Sequence, residues 1–131
     1  MDINRESIFL KTEKSFFRDT NRSECKTDID SNTVGKVLGI YVKATDSDGE
    51  AENERVKYKS NVIYSICYID TENNIRKCEM SGSIYGEITG VFASGYLRID
   101  VKTEKAEADV SSLKLVIKTV FTVEAVITEQ K

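Results

Sequence analysis

The residues best placed to do chemistry are a run of acids. Asp46-Ser47-Asp48-Gly49-Glu50-Ala51-Glu52-Asn53-Glu54 carries a carboxylate at every second position, so an extended chain would project all five from one face. Oxygen-rich clusters of this kind hold calcium, and Asp46, Asp48 and Glu50 are the candidate ligands. An EF-hand loop wants its glycine at position six and a bidentate Glu at position twelve, whereas Gly49 stands fourth from Asp46. The plainer expectation is a solvated hairpin tip with Gly49 in a positive-φ turn.

Other chemistry is sparse. Cys25, Cys67 and Cys78 form no close pair and the chain has no histidine, which excludes structural zinc and leaves a serine or cysteine nucleophile without an imidazole base. Three widely spaced cysteines make a poor disulfide framework and read as small buried hydrophobes in a reducing compartment. The Asp and Glu residues fall in loops and on the polar parity of apolar-polar runs, where solvation is the ordinary explanation. The expectation is therefore no enzyme, no cofactor and no resident metal. Gly82-x-x-x-Gly86-x-x-x-Gly90 has the spacing of a membrane-helix dimer motif, but Glu87 interrupts it and Ala93-Ser94-Gly95 follows; turns and bulges account for it better. No Gly-Lys-Ser/Thr follows, so it is not a phosphate loop.

The 131 residues suit one domain, and 31% charged with 40% apolar residues is the balance of a chain that folds. With 22 acidic and 19 basic residues interspersed, no basic stripe is available for nucleic acid. No apolar run approaches the ~20 residues that span a bilayer, and Met1-Asp2-Ile3-Asn4-Arg5 is followed by no signal core, so a cytosolic location without membrane insertion is expected.

Alternation with period two dominates, clearest at Val37 to Val42, Val56 to Ile69, Tyr96 to Val101 and Leu113 to Thr128. Val62 to Ile69 is apolar at both parities, as in a central strand covered on both faces. Turn residues separate the runs at Asp48-Gly49, at Glu72-Asn73-Asn74 and along the glycine series to Gly95. This predicts an all-β fold, an antiparallel sandwich or open barrel, with residues 1–15 a tail or a first strand. Tyr41 has the parity opposite to Leu38, Ile40 and Val42, so it either presents an exposed aromatic to a partner or covers a second apolar layer; Tyr85 is the other candidate contact residue.

The two halves also match. At a fixed shift of 59, Leu38-Gly39-Ile40-Tyr41-Val42-Lys43 falls on Leu97-Arg98-Ile99-Asp100-Val101-Lys102, Val62 on Phe121, Tyr64 on Val123 and Tyr68 on Ile127. Residues 37–69 and 96–128 are then two similar hairpins packed together, although alternation alone also imitates low-identity β repeats.

The order of these features resembles the SPOCS domain of spore-coat anchoring and morphogenetic proteins of spore-forming Firmicutes. The similarity rests on Val37 to Lys43, on Val62 to Asp70 with its apolar strand ending in a Tyr and a turn, and on Leu113 to Ile127 as the closing strand. It runs from about Phe16 onward and consists of alternation with few fixed residues. The resemblance implies a non-catalytic scaffold that binds other coat proteins or itself, as a homo-oligomer or by weak self-association, on the mother-cell side of the forming spore. Such proteins often end in a LysM module; no LysM-like segment follows Ile127, so that module's anchoring role is not carried over. The competing expectation is a carbohydrate- or small-ligand-binding β-sandwich, and a third is a cation-dependent adhesive module that depends on the Asp46 run.

Overall fold

The computed structural model describes residues 12–92 and 94–130 and consists almost entirely of strands. These are β1 (Thr12–Asp30), β2 (Val34–Glu52), β3 (Arg55–Asp70), β4 (Ile75–Thr89), β5 (Tyr96–Asp109) and β6 (Lys114–Gln130), with one 3-10 turn at Ser31–Thr33. Two antiparallel three-stranded sheets form, in the orders β1-β6-β5 and β2-β3-β4. They pack face to face as the expected all-β sandwich, with β2 against β5 and β1 against β4.

The central strands make the core because their alternation is unbroken. From β3, Val56, Tyr58, Ser60, Val62, Tyr64 and Ile66 point inward; from β6, Leu115, Ile117, Thr119, Phe121, Val123, Ala125 and Ile127 do, and none is more than 3% exposed. Burying each large apolar side chain among them contributes about 1.5–3 kcal/mol. Val56 and Tyr58 cluster with Val123, Ala125 and Ile127, while Val62, Tyr64 and Ile66 cluster with Leu115, Ile117 and Phe121, so β3 and β6 run in opposite directions across the core.

The shift of 59 extends to strand register. Val42 pairs with Tyr64 and Val101 with Val123; Ile40 pairs with Ile66 and Ile99 with Ala125. Both hairpins carry one extra residue at the equivalent place, between Ala44 and Ser47 and between Thr103 and Ala106, and resume as Ser47 opposite Ser60 and Ala106 opposite Thr119. Beside each bulge the inward residue is buried and polar. Ser60 Oγ lies 2.9 Å from Ser47 Oγ, and Thr119 Oγ1 donates to the Ser23 carbonyl at 3.3 Å.

Of the two states expected for residues 1–15, residues 12–15 take that of a first strand, which continues to Asp30, and residues 1–11 lie outside the described residues. Other expectations need correction. β1 escapes detection because its inward positions in mid-strand are Asp19, Asn21 and Ser23, which erase the alternation. Gly82 and Gly86 are neither turns nor bulges: they lie inside β4, in an unbroken ladder with β3. Gly49 is also within a strand, opposite Tyr58, and has no positive φ. The turn comes four residues later at Asn53-Glu54, with φ of 50° and 63°, between the paired Glu52 and Arg55. Leu38 does not share a face with Ile40 and Val42, because a register shift between Val37 and Gly39 leaves it 47% exposed.

A two-residue loop with both central residues at positive φ favours Asn-Gly, and Glu54 occupies the glycine place at a cost of about 1 kcal/mol. Glu54→Gly is expected to raise unfolding stability by about that amount, read as a higher urea midpoint at unchanged m-value.

Candidate interaction surface

The outward face of the β2-β3-β4 sheet is the most distinctive surface of the fold. Along β3 its residues are Ile63, Ser65, Cys67 and Ile69, all half-buried, and no described element lies over them. Coverage on both faces, expected from the apolar run Val62 to Ile69, is thus overturned, although β3 is central as expected. Across the strands the rows read Tyr41-Ser65-Glu79 and Gly39-Cys67-Lys77. Gly39 has no side chain and nothing within 4 Å of where a Cβ would stand, so an open hollow of about 490 Å3 forms beside the Tyr41 ring. Its lining includes Tyr41, Ser65, Cys67, Lys77 and Glu79.

Comparison with the other hairpin isolates what is special here. At the shift of 59, inward residues correspond in kind, but Tyr41 becomes Asp100, Gly39 becomes Arg98, Ile63 becomes Thr122 and Ser65 becomes Glu124. On that second sheet Arg18 Nε meets Glu124 Oε2 at 2.8 Å and Arg98 meets Asp100 at 3.1 Å, so ion pairs stand there beside Phe16, Tyr96 and Val126. In the other direction Lys57 becomes Val116 and Asn61 becomes Val120, so outward positions differ in both senses.

The face is supported from beneath by two tyrosines of β3. A Cβ on Gly86 would stand 2.1 Å from Tyr58 Oη, and one on Gly82 would stand 3.1 Å from the Tyr64 ring, so these glycines leave the room in which the rings lie. Tyr58 thereby reaches the other sheet: its Oη donates to Asp19 Oδ2 at 2.7 Å and accepts from Asn21 Nδ2 at 3.0 Å. Asn21 Nδ2 also donates to the Tyr85 carbonyl at 3.0 Å, and Ser23 Oγ donates to Asn21 Oδ1. Burial, with the Asp19 carboxylate in support, pushes the Tyr58 phenol up to about 12, while Asn21 opposes the shift. Burial raises Tyr64 as well, with the neighbouring Thr119 hydroxyl opposing the shift.

Tyr41 and Tyr85 are 60% and 67% exposed and share this outward face, but they stand on opposite edge strands in rows six residues apart along β3, about 20 Å. They do not form one patch. Asp46, Asp48 and Glu50 lie in β2, where Asp48 stands opposite Lys59 and Glu50 opposite Lys57, and Asp48 Oδ1 accepts the Gly49 N–H at 2.8 Å. Lysines of β3 thus balance the acids, and among the described residues no three His, Cys, Asp or Glu side chains gather as metal ligands. Cys67 faces outward, while Cys78 and Cys25 pack against the core, so neighbouring strands place Cys67 and Cys78 on opposite faces.

No protein-family model, curated protein or solved structure matches this chain. Among the described residues no helix is long and apolar enough to cross a membrane.

Tyr58→Phe is expected to cost about 1–2 kcal/mol at neutral pH, because Asp19 and Asn21 lose their partner. The folded-state pKa lies above the ordinary value near 10, so the phenol's contribution is complete below pH 10 and is lost as pH rises toward 12. Urea unfolding from pH 8 to 12 should show a fall of about 2–3 kcal/mol in the parent that the variant lacks, Tyr64 being common to both.

Proposed function

We propose that this chain is a non-catalytic protein-interaction domain acting in spore-coat or envelope assembly, and that it works through the outward face of the β2-β3-β4 sheet. One observation carries the reading. The two hairpins agree inside and in register, yet where the second carries Arg98 and Asp100 on its outward face the first carries Gly39 and the exposed Tyr41, which open a hollow beside Cys67. A side chain such as Ile63 gains nothing for the core from that position, whereas apolar area beside an exposed aromatic is what a partner surface desolvates. The spore coat as the setting follows from the SPOCS resemblance, which also implies the mother-cell side.

The hollow beside Tyr41 is open rather than enclosed. It has charged neighbours at Lys77 and Glu79, which suits a flat protein surface better than a small ligand that must be surrounded. A fluorescent fusion of the full chain in a sporulating Firmicute is expected to collect as a shell around the forming spore. The variant Tyr41→Ser, which removes an exposed ring without touching the core, should be diffuse at equal abundance. A diffuse parent fusion would overturn the setting; a shell unaffected by Tyr41→Ser would overturn the face.

A further inference from the structure

Among the described residues four strands stand at sheet edges. β2 and β5 contain register shifts within their ladders, and β1, unbroken from Thr12 to Lys26, carries Arg18, Asp19 and Arg22 at its middle, whereas β4 pairs with β3 at all fifteen positions from Ile75 to Thr89 without a shift. Edge strands are ordinarily protected by bulges, prolines or inserted charge. β4 has no bulge and no proline, and its middle, Ser81-Gly82-Ser83, carries no charge. The Tyr85 carbonyl, which accepts from Asn21, points away from β3. Backbone groups alternate along a strand, so those of Lys77, Glu79, Ser81, Ser83 and Glu87 face the same open side.

We infer that a second copy of this chain adds to the β4 edge, antiparallel and centred on Gly82, joining two β2-β3-β4 sheets into one of six strands. This rests on the reading of the chain as an assembly domain and names its first partner.

The sequence of β4 is complementary to itself in that register. On the outward face Lys77 falls opposite Glu87 twice, Glu79 opposite Tyr85 twice and Ser81 opposite Ser83 twice; on the inward face Met80 falls opposite Ile84 twice. Slipping by two residues one way sets Glu79 against Glu87, and slipping the other way leaves no opposite-charge pair. Cross-strand charge and apolar pairs are each worth roughly 0.2–1 kcal/mol, so the side chains choose one register while the main chain supplies the adhesion. The arrangement is isologous and closes as a dimer. It also brings the two Tyr41 hollows onto one continuous face.

The test is sedimentation equilibrium of the full chain from micromolar to millimolar concentration. A monomer–dimer equilibrium is expected. Ser83→Pro removes an N–H that faces the open side and none that bonds β3, and should abolish the dimer while leaving the far-ultraviolet circular dichroism unchanged. Should that variant fail to fold, a charge swap decides: Lys77→Glu should weaken the dimer about tenfold, and Glu87→Lys added to it should restore the affinity. A parent that stays monomeric throughout, or a dimer indifferent to folded Ser83→Pro or to the charge swap, overturns the inference. If the fusion still forms a shell in the first case, the assembly reading survives; if the fusion is diffuse while the dimer forms, that reading fails alone.

Discussion

The fold depends on a tyrosine that leaves its own sheet. A sandwich of two three-stranded sheets has two open sides, and no backbone ladder closes either one. On the β2-β5 side Thr103 Oγ1 donates to the Val42 carbonyl at 2.9 Å. On the β1-β4 side Tyr58 lies across Gly86 and ends between Asp19 and Asn21 of the opposite sheet. That contact requires three unusual choices at once: a glycine within a strand, polar residues on the inward face of an edge strand, and a phenol kept protonated by burial. Each weakens its local element, and together they join the sheets. Gly86 forfeits strand propensity, and Asp19 and Asn21 forfeit apolar burial, but the side chains find their hydrogen bonds within the seam, so no buried polar group there is left unpaired.

The same three choices explain which parts of the fold were legible in the sequence. β3 and β6 announce themselves by alternation because they are central, with both neighbours fixed and one face sealed. β1 and β4 sit at the seam and carry the exceptions, so Asp19-x-Asn21-x-Ser23 conceals one strand and Gly82 and Gly86 conceal the other. Bulges account for the remaining misreadings. An extra residue near Leu38 changes which side chains face inward, and the long reach of β2 carries Asp48-Gly49, a strong turn signal, into the middle of a ladder. The turn that forms uses Asn53-Glu54, whose second residue is unfavourable at positive φ and therefore weak as a signal.

Of the candidate surface, Tyr41 and Tyr85 were visible as exposed aromatics, but the hollow was not. It exists because Gly39 lies beside Tyr41 and across from Cys67, a juxtaposition created by strand register that neither residue type signals alone. The doubled apolar parity of Val62 to Ile69 did point to this strand. It predicts burial under a second layer, whereas among the described residues no element lies over that face.

The two hairpins show how such a surface arises at low cost to the fold. Inward positions answer to packing density, so Val56 and Leu115, Val62 and Phe121, Tyr64 and Val123 stay apolar and buried in both. Outward positions answer only to solvent or to a partner, so they are free to differ: one sheet keeps the Arg18–Glu124 and Arg98–Asp100 pairs, and the other has Ser65, Gly39 and Tyr41 where Glu124, Arg98 and Asp100 stand. An edge strand has a third side, the line of backbone groups with no neighbouring strand. In β2 and β5 that line is broken by irregular register, in β1 only between Lys26 and Asp30, while in β4 it is regular throughout. The sheet that carries the Tyr41 hollow is therefore also the sheet with the unshifted edge, and the two features meet in Lys77 and Glu79, which line the hollow and belong to the edge strand.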